Sequence, residues 1–271
     1  MARVIVITAG KGGVGKSTVT SNIGMALARL NKKVLLMDGD IGLRNLDLLL
    51  GIEERVVYTG SDVISLRCRI DQVIVPHKKD SRLHFFPVAS SQNKISIYKE
   101  DLIKFVNAFY YNYDFILIDC PAGVDNGFYI AIAAAQEAIV IVNPEVTSLR
   151  DADKVIGLLQ ARGIIKIVLL INKLRSLRVY KRGMISKQNV KDVLGLPIIG
   201  IIPESEDVVM ASNRGEPLVL NDVLSQSGLA FDNAAKRIID ETVGLIDLNL
   251  SKKESNFFFV RVFKRNILRQ K

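Results

Sequence analysis

The stretch GKGGVGKST, residues 10–18, decides how this 271-residue chain is read. Its first eight residues fit G-x-x-x-x-G-K-[ST], a loop that cradles phosphate, and Lys11 adds a second lysine near its front. Gly10, Gly12, Gly13 and Gly15 let the backbone wrap closely and turn several N–H groups toward an anion, with Val14 completing the curve. Lys16 can reach the β- and γ-phosphates of a nucleotide, and the Ser17 hydroxyl can ligate Mg²⁺. A helix starting near Ser17 and Thr18 would offer its positive end to the same anion.

The flanks supply what such a loop requires. Residues 3–8 (RVIVIT) form a β-branched run suited to a buried parallel strand, and residues 19–30 carry apolar side chains at helical spacing. Further along, strands are expected at 33–38, 83–88, 114–119, 138–142, 165–171 and 198–202. Helices are expected near 17–30, 99–111, 127–136, 147–161, 205–213 and 228–246. Alternation of this kind predicts an α/β fold, a doubly wound and mostly parallel sheet flanked by helices. One domain over 1–249 with a short tail over 250–271 is the simplest division.

Composition sets the remaining bounds. Hydrophobic residues make up 49% of the chain, ample for a large core, and no apolar run approaches the length of a membrane span. The first strand is entered by residue 3, which leaves no room for a signal or transit peptide. Cys68 and Cys120 have no metal-ligand spacing and suggest a reducing compartment. Net charge is +9. Residues 161–190 hold eight Lys/Arg and no acid, and residues 251–271 hold seven Lys/Arg and one Glu. These stretches carry +8 and +6, so the rest of the chain is net −5 and the basicity lies in two patches.

Two acidic clusters stand where a phosphate site needs them. Asp38-Gly39-Asp40 follows the strand ending at Met37, and Asp119 follows the apolar run Phe115–Ile118. Ligands of open α/β sheets bind outside the carboxyl ends of strands, so all three carboxylates can face a triphosphate, with Asp119 in the place of a magnesium-holding aspartate. Alone, each is as well explained as a turn or cap residue. Ile171-Asn172-Lys173-Leu174 is like the guanine-reading NKxD element but lacks its aspartate, which favours ATP.

The second clue is FFFVRVFKRNILRQ, residues 257–270. On a helical wheel Phe259, Val260, Phe263 and Ile267 share one side, while Arg261, Arg265 and Arg269 recur on the other. Such a basic amphipathic segment suits an anionic lipid surface. A core-docked terminal helix or an edge strand over FFFVRVF are the alternatives, and the density of basic residues weighs against both.

GKGGVGKST together with MDGDIGLRNLDLLLG (37–51), IDCPAG (118–123), NPEVTSLRDADK (143–154) and IIPE (201–204) resembles the deviant Walker A ATPases. Within that ParA–MinD family the chain is most similar to the septum-site-determining branch, from residue 1 to about 246. The resemblance implies Mg²⁺-dependent hydrolysis of ATP by a homodimer that forms on ATP binding. Lys11 would be the signature lysine, reaching the partner's nucleotide. Gly10 to Thr18 would hold the phosphates, with Ser17 and Asp119 at Mg²⁺. Asp38 and Asp40 would position the attacking water and respond to the γ-phosphate. Asn172 and the Pro203–Glu204 loop would lie near the adenine, although a strand-end Asn closing a turn explains Asn172 equally well. It further implies a peripheral membrane switch that places a division site, with a MinE-like activator and a MinC-like inhibitor or another division factor as partners. The setting would be a chloroplast stroma, or alternatively a bacterial cytoplasm and inner membrane. The rival reading, a ParA-type DNA-partitioning ATPase, shares the loop but does not need the aromatic tail, so nucleic acid is not favoured. The basic stretch 173–187 is open: a solvated face, a lipid contact or a patch for an acidic partner.

Overall fold

The computed structural model describes residues 1–40, 44–89, 96–175, 185–240 and 242–245. The tail with its expected lipid-facing residues, and most of the basic stretch 173–187, lie outside these.

Eight strands form one sheet: β1 (Arg3–Thr8), β2 (Val34–Asp38), β3 (Val75–Pro76), β4 (Leu83–Pro87), β5 (Phe115–Asp119), β6 (Glu137–Val142), β7 (Lys166–Leu174) and β8 (Ile198–Pro203). Their order is β3-β4-β2-β5-β1-β6-β7-β8, parallel throughout except for the short antiparallel β3 at one edge. The helices are α1 (Lys16–Arg29), α2 (Leu46–Leu50), α3 (Gly60–Ile64), α4 (Lys99–Phe109), α5 (Asn126–Ile132), α6 (Val146–Ala161), α7 (Lys187–Leu194), α8 (Glu206–Asn213) and α9 (Gln226–Ile238).

Strand residues alternate between two apolar cores. Val4, Val6, Ile116 and Ile118 point into one, whereas Ile5, Ile7 and Leu117 point into the other, where they meet α1 and α9 through Ile23, Leu27, Phe231 and Ala234. Because both sheet faces are covered, the strands read as unbroken apolar runs rather than alternating ones. The seven long strands fall where the sequence places them. The last expected helix is shorter: α9 ends at Ile238 instead of 246, and Asp240 takes a left-handed φ of 66°. Arg237 secures the next segment, donating to the carbonyls of Ile199 and Val243 at 2.6 and 2.7 Å and to that of Gly244. The expected helix at 127–136 likewise stops at Ile132.

Candidate functional site

The loop from Gly10 to Gly15 joins β1 to α1 at the carboxyl end of the sheet. Gly13 and Gly15 have φ of 75° and 97°, which only glycine adopts without strain. Gly15 caps α1 without a side-chain hydrogen bond, and the first turn of α1 carries no acid. The helix's amino end and dipole are therefore left to an external anion. Close packing explains Gly10 and constrains Gly15 a second time. A Cβ on Gly10 would stand 2.5 Å from the backbone of Asp151 on α6, and one on Gly15 would stand 2.5 Å from the Asn172 amide nitrogen. Lys16 is buried at the start of α1, whereas Thr18 is half-buried.

The carboxylates meet beside this loop. Asp38 ends β2 and Asp119 ends β5, and the parallel register sets them side by side. Both are only 2% exposed. Burial, and then the neighbouring Asp119 charge, pushes the Asp38 carboxyl up to about 8. Burial raises Asp119 to about 6, against the pull of the Ser17 hydroxyl, the Lys16 ammonium and the Thr20 hydroxyl. Thr20 Oγ1 lies 3.1 Å from Asp119 Oδ1. A dry pair of carboxylates sharing a site repels itself and is relieved by a cation. With a hydroxyl on Asp119 and phosphate oxygens to complete the shell, this oxygen donor set fits Mg²⁺, which is usually held by one or two carboxylates plus substrate phosphate.

Asp38 has a second task. Its Oδ1 accepts the Asp40 N–H at 3.1 Å, and its Oδ2 accepts the N–H groups of Asn45 and Leu46 at 3.2 and 3.1 Å. It thereby satisfies the amino end of α2, which has no side-chain cap of its own. Gly39 is pressed against β5: its N–H donates to the Asp119 carbonyl at 2.9 Å, and a Cβ would meet that oxygen at 2.7 Å. Gly39 and Asp40 are thus tied to the two carboxylate strands. Asp40 is half-buried, and its charge opposes ionisation of both Asp38 and Asp119.

Lys11 points elsewhere. Its side chain is half exposed, and its ammonium lies 3.5 Å from Glu145, the residue that precedes α6. On the far side of the loop, Asn172 is buried at the end of β7, with its amide donating to the Val14 carbonyl at 2.7 Å. Lys173 beside it takes a left-handed φ of 56° and donates to the Gly13 carbonyl at 2.8 Å. Next along, Arg175 pairs with Glu204 at 2.7 Å, and the Glu204 N–H donates to the Leu174 carbonyl, tying the ends of β7 and β8 together.

The structure thus brings Gly10–Ser17, Asp38, Asp40, Asp119 and Asn172 to one end of the sheet, and sets Lys11 at its rim. Sequence reading missed Thr20 and Lys173. Thr20 lies three residues after Ser17, on the same helical face, so spacing alone was a signal. Nothing local to Lys173 indicated a partner 160 positions earlier.

The ParA family, described as an iron-transfer P-loop NTPase (NUBPL), matches residues 1–239. A putative septum site-determining protein MinD from Emiliania huxleyi is 57% identical over 249 residues, covering 92% of both chains. Among solved structures, MinD in the MinC:MinD cell division complex of Aquifex aeolicus is 44% identical with a TM-score of 0.83, covering 91% of this chain and 99% of that one. MinD of Pyrococcus horikoshii, solved with Mg-ADP, is 30% identical with a TM-score of 0.80 over 90% of this chain and all of its own. The phosphate loop, the paired aspartates and these likenesses coincide: the chain belongs to the MinD/ParA family of P-loop ATPases, as a MinD-type, Mg²⁺-dependent ATPase of division-site positioning.

Proposed function

We propose that this ATPase works as a nucleotide-gated dimer whose tail holds it on a lipid surface. The observation that carries this reading is Lys11. It sits at the rim of a loop otherwise equipped for phosphate, half exposed and paired, among the described residues, across a 3.5 Å surface contact with Glu145. Such pairs contribute little, typically below about 1 kcal/mol, so the lysine is easily drawn away to a partner's nucleotide.

Residues 10–18 hold the phosphates, and Ser17 with Asp119 holds Mg²⁺. Held there, Mg²⁺ would supply neutralisation of phosphate charge for transfer to water. Asp40 and the backbone of 38–40 present the water, and Lys11 from the second subunit adds positive charge to the leaving group. Positioning and charge stabilisation supply most of the catalysis in such chemistry. Hydrolysis by a single chain is therefore slow.

The tail, residues 250–271, is the anchor. Each buried large apolar side chain offers about 1.5–3 kcal/mol and each basic residue near anionic lipid about 1 kcal/mol, offset by ordering of the segment. One tail binds weakly, whereas two on a dimer gain roughly 10²–10⁴-fold in avidity. No described helix is long and apolar enough to cross a membrane. A MinC-like inhibitor or another division factor would bind the ATP form, and a MinE-like activator would trigger hydrolysis. The algal relatives favour a plastid stroma as the setting. Iron cargo is not favoured, since Cys68 and Cys120 do not reproduce the paired-cysteine spacing that an iron–sulfur carrier of this fold needs.

Sedimentation with anionic vesicles tests this reading, comparing ATP and ADP for the full chain and a truncation after Glu254. Binding that needs both ATP and the tail supports it. Binding indifferent to nucleotide breaks the coupling, and retention on DNA instead of lipid revives the partitioning reading.

A further inference from the structure

An anion-binding loop has a second requirement besides glycine. Turning successive N–H groups inward toward a phosphate turns the intervening carbonyls outward, where each needs a donor. Among residues 10–15, the left-handed Gly13 and Gly15 make that alternation, and the outward carbonyls in question are those of Gly13 and Val14. Both are met from the end of β7. Asn172 donates its amide to Val14 at 2.7 Å from a buried position, and Lys173 donates its ammonium to Gly13 at 2.8 Å.

Three features show that the backbone is arranged for these contacts. The register between β7 and β8 breaks between Ile171 and Leu174, leaving Asn172 and Lys173 out of the regular ladder. Lys173 adopts φ of 56°, an uncommon conformation for a lysine, which persists only where the surroundings enforce it. Gly15 leaves the space that the Asn172 amide fills, since a Cβ there would lie 2.5 Å from Nδ2.

We infer that Asn172 and Lys173 are positioning residues for the phosphate loop: by occupying the outward carbonyls of Val14 and Gly13 they hold its N–H groups in the anion-binding arrangement before nucleotide arrives. The inference rests on residues 10–18 being the phosphate-binding loop. It assigns Asn172 a different primary task from contact with the adenine base. Because Glu204 N–H is held by the Leu174 carbonyl and its carboxylate by Arg175, the same strand end links the phosphate loop to the loop after β8.

The two tasks separate with a ligand that has no base. Titration calorimetry on the full chain would compare Mg-ADP with magnesium tripolyphosphate for wild type, Asn172→Ala, Lys173→Met and Lys173→Arg. A lost hydrogen bond to a carbonyl that stays shielded is worth roughly a tenfold change in affinity. We expect Asn172→Ala to weaken both ligands by that same factor and to leave the preference for ATP over GTP unchanged. Lys173→Met, which keeps the aliphatic stem on a more exposed side chain and so spares the fold, should weaken both about threefold, a smaller loss for a solvent-exposed donor. Lys173→Arg, which keeps a donor, should restore binding. Loss of ADP affinity with tripolyphosphate unaffected would overturn the inference and return Asn172 to the adenine. Unchanged binding of both ligands in Asn172→Ala and Lys173→Met would overturn it as well. A wild-type chain that binds neither ligand would instead remove the phosphate-loop reading on which it stands.

Discussion

The loop at 10–15 and the pair formed by Asp38–Asp40 and the amino end of α2 lie side by side, yet they are held in opposite ways. The phosphate loop is fixed from outside its ligand face, by Asn172 and Lys173 on its carbonyls and by the abutment of Gly10 on Asp151. The Asp38 segment hangs instead from one buried carboxylate, which accepts three backbone N–H groups and shares its site with Asp119. A cation or a γ-phosphate arriving at this pair alters the charge on which the whole segment is strung. On the proposed reading the site divides its labour: one wall binds, and the other responds.

The largest effect should come from breaking the binding wall at its charge. Lys16→Ala removes a buried ammonium from the phosphate site, and steady-state hydrolysis should fall by about 10²-fold or more, the scale seen when one preorganised electrostatic contact is removed. Gly15→Ala attacks the same wall through its backbone. It places a side chain at φ of 97° and drives a Cβ into the Asn172 amide, so thermal unfolding should show a loss of about 1–3 kcal/mol together with weaker Mg-ADP binding. A Gly15→Ala chain that binds Mg-ADP normally would show that the loop is less constrained than the geometry implies.

The responding wall should betray itself through pH. The folded Asp38 and Asp119 carboxyls sit at about 8 and about 6, above the unfolded value of 3.8. Between those limits the native chain holds protons that the unfolded chain has already released. The stabilisation is therefore complete below pH 4 and is lost as pH rises through 6 and then 8. For the nucleotide-free protein, melting experiments between pH 5 and pH 8 should show a decline on the order of 5 kcal/mol, flattened in Asp38→Asn. Mg-ADP should offset the decline, because a bound cation favours the ionised pair.

Lys11→Ala should produce the smallest change in the isolated chain. Its exposed pair with Glu145 is worth less than about 1 kcal/mol, so the melting temperature and Mg-ADP affinity should hold. Hydrolysis that rises with protein concentration should nevertheless disappear. A variant whose hydrolysis still accelerates with concentration would remove the lysine from the shared site.

Most of this comparison was legible before the structure. The seven long strands announced themselves as apolar runs, and the glycine loop with Asp38 and Asp119 at strand ends placed the site at the carboxyl edge. What escaped was short or distant. β3 is two residues long, and α2 and α3 are five each, too brief for any periodicity to register. α7 begins where the basic stretch 173–187 ends and was not expected, although Ser186 caps it and Asn189 returns the bond. The last helix was drawn too long because apolar spacing continues past Ile238, where the left-handed Asp240 ends it. The carbonyl contacts of Asn172 and Lys173 join positions about 160 residues apart, and only the sheet order brings them together.

Amide hydrogen exchange, read at single residues with Mg-ADP and with a non-hydrolysable Mg-ATP analogue, tests the division between the two walls most directly. The account predicts that the amides of residues 12–17 are slowed alike by both ligands, while those of Asp40, Asn45 and Leu46 differ between them. Equal exchange at Asp40, Asn45 and Leu46 in the two complexes would contradict it, leaving a site that binds nucleotide but does not register the γ-phosphate through Asp38.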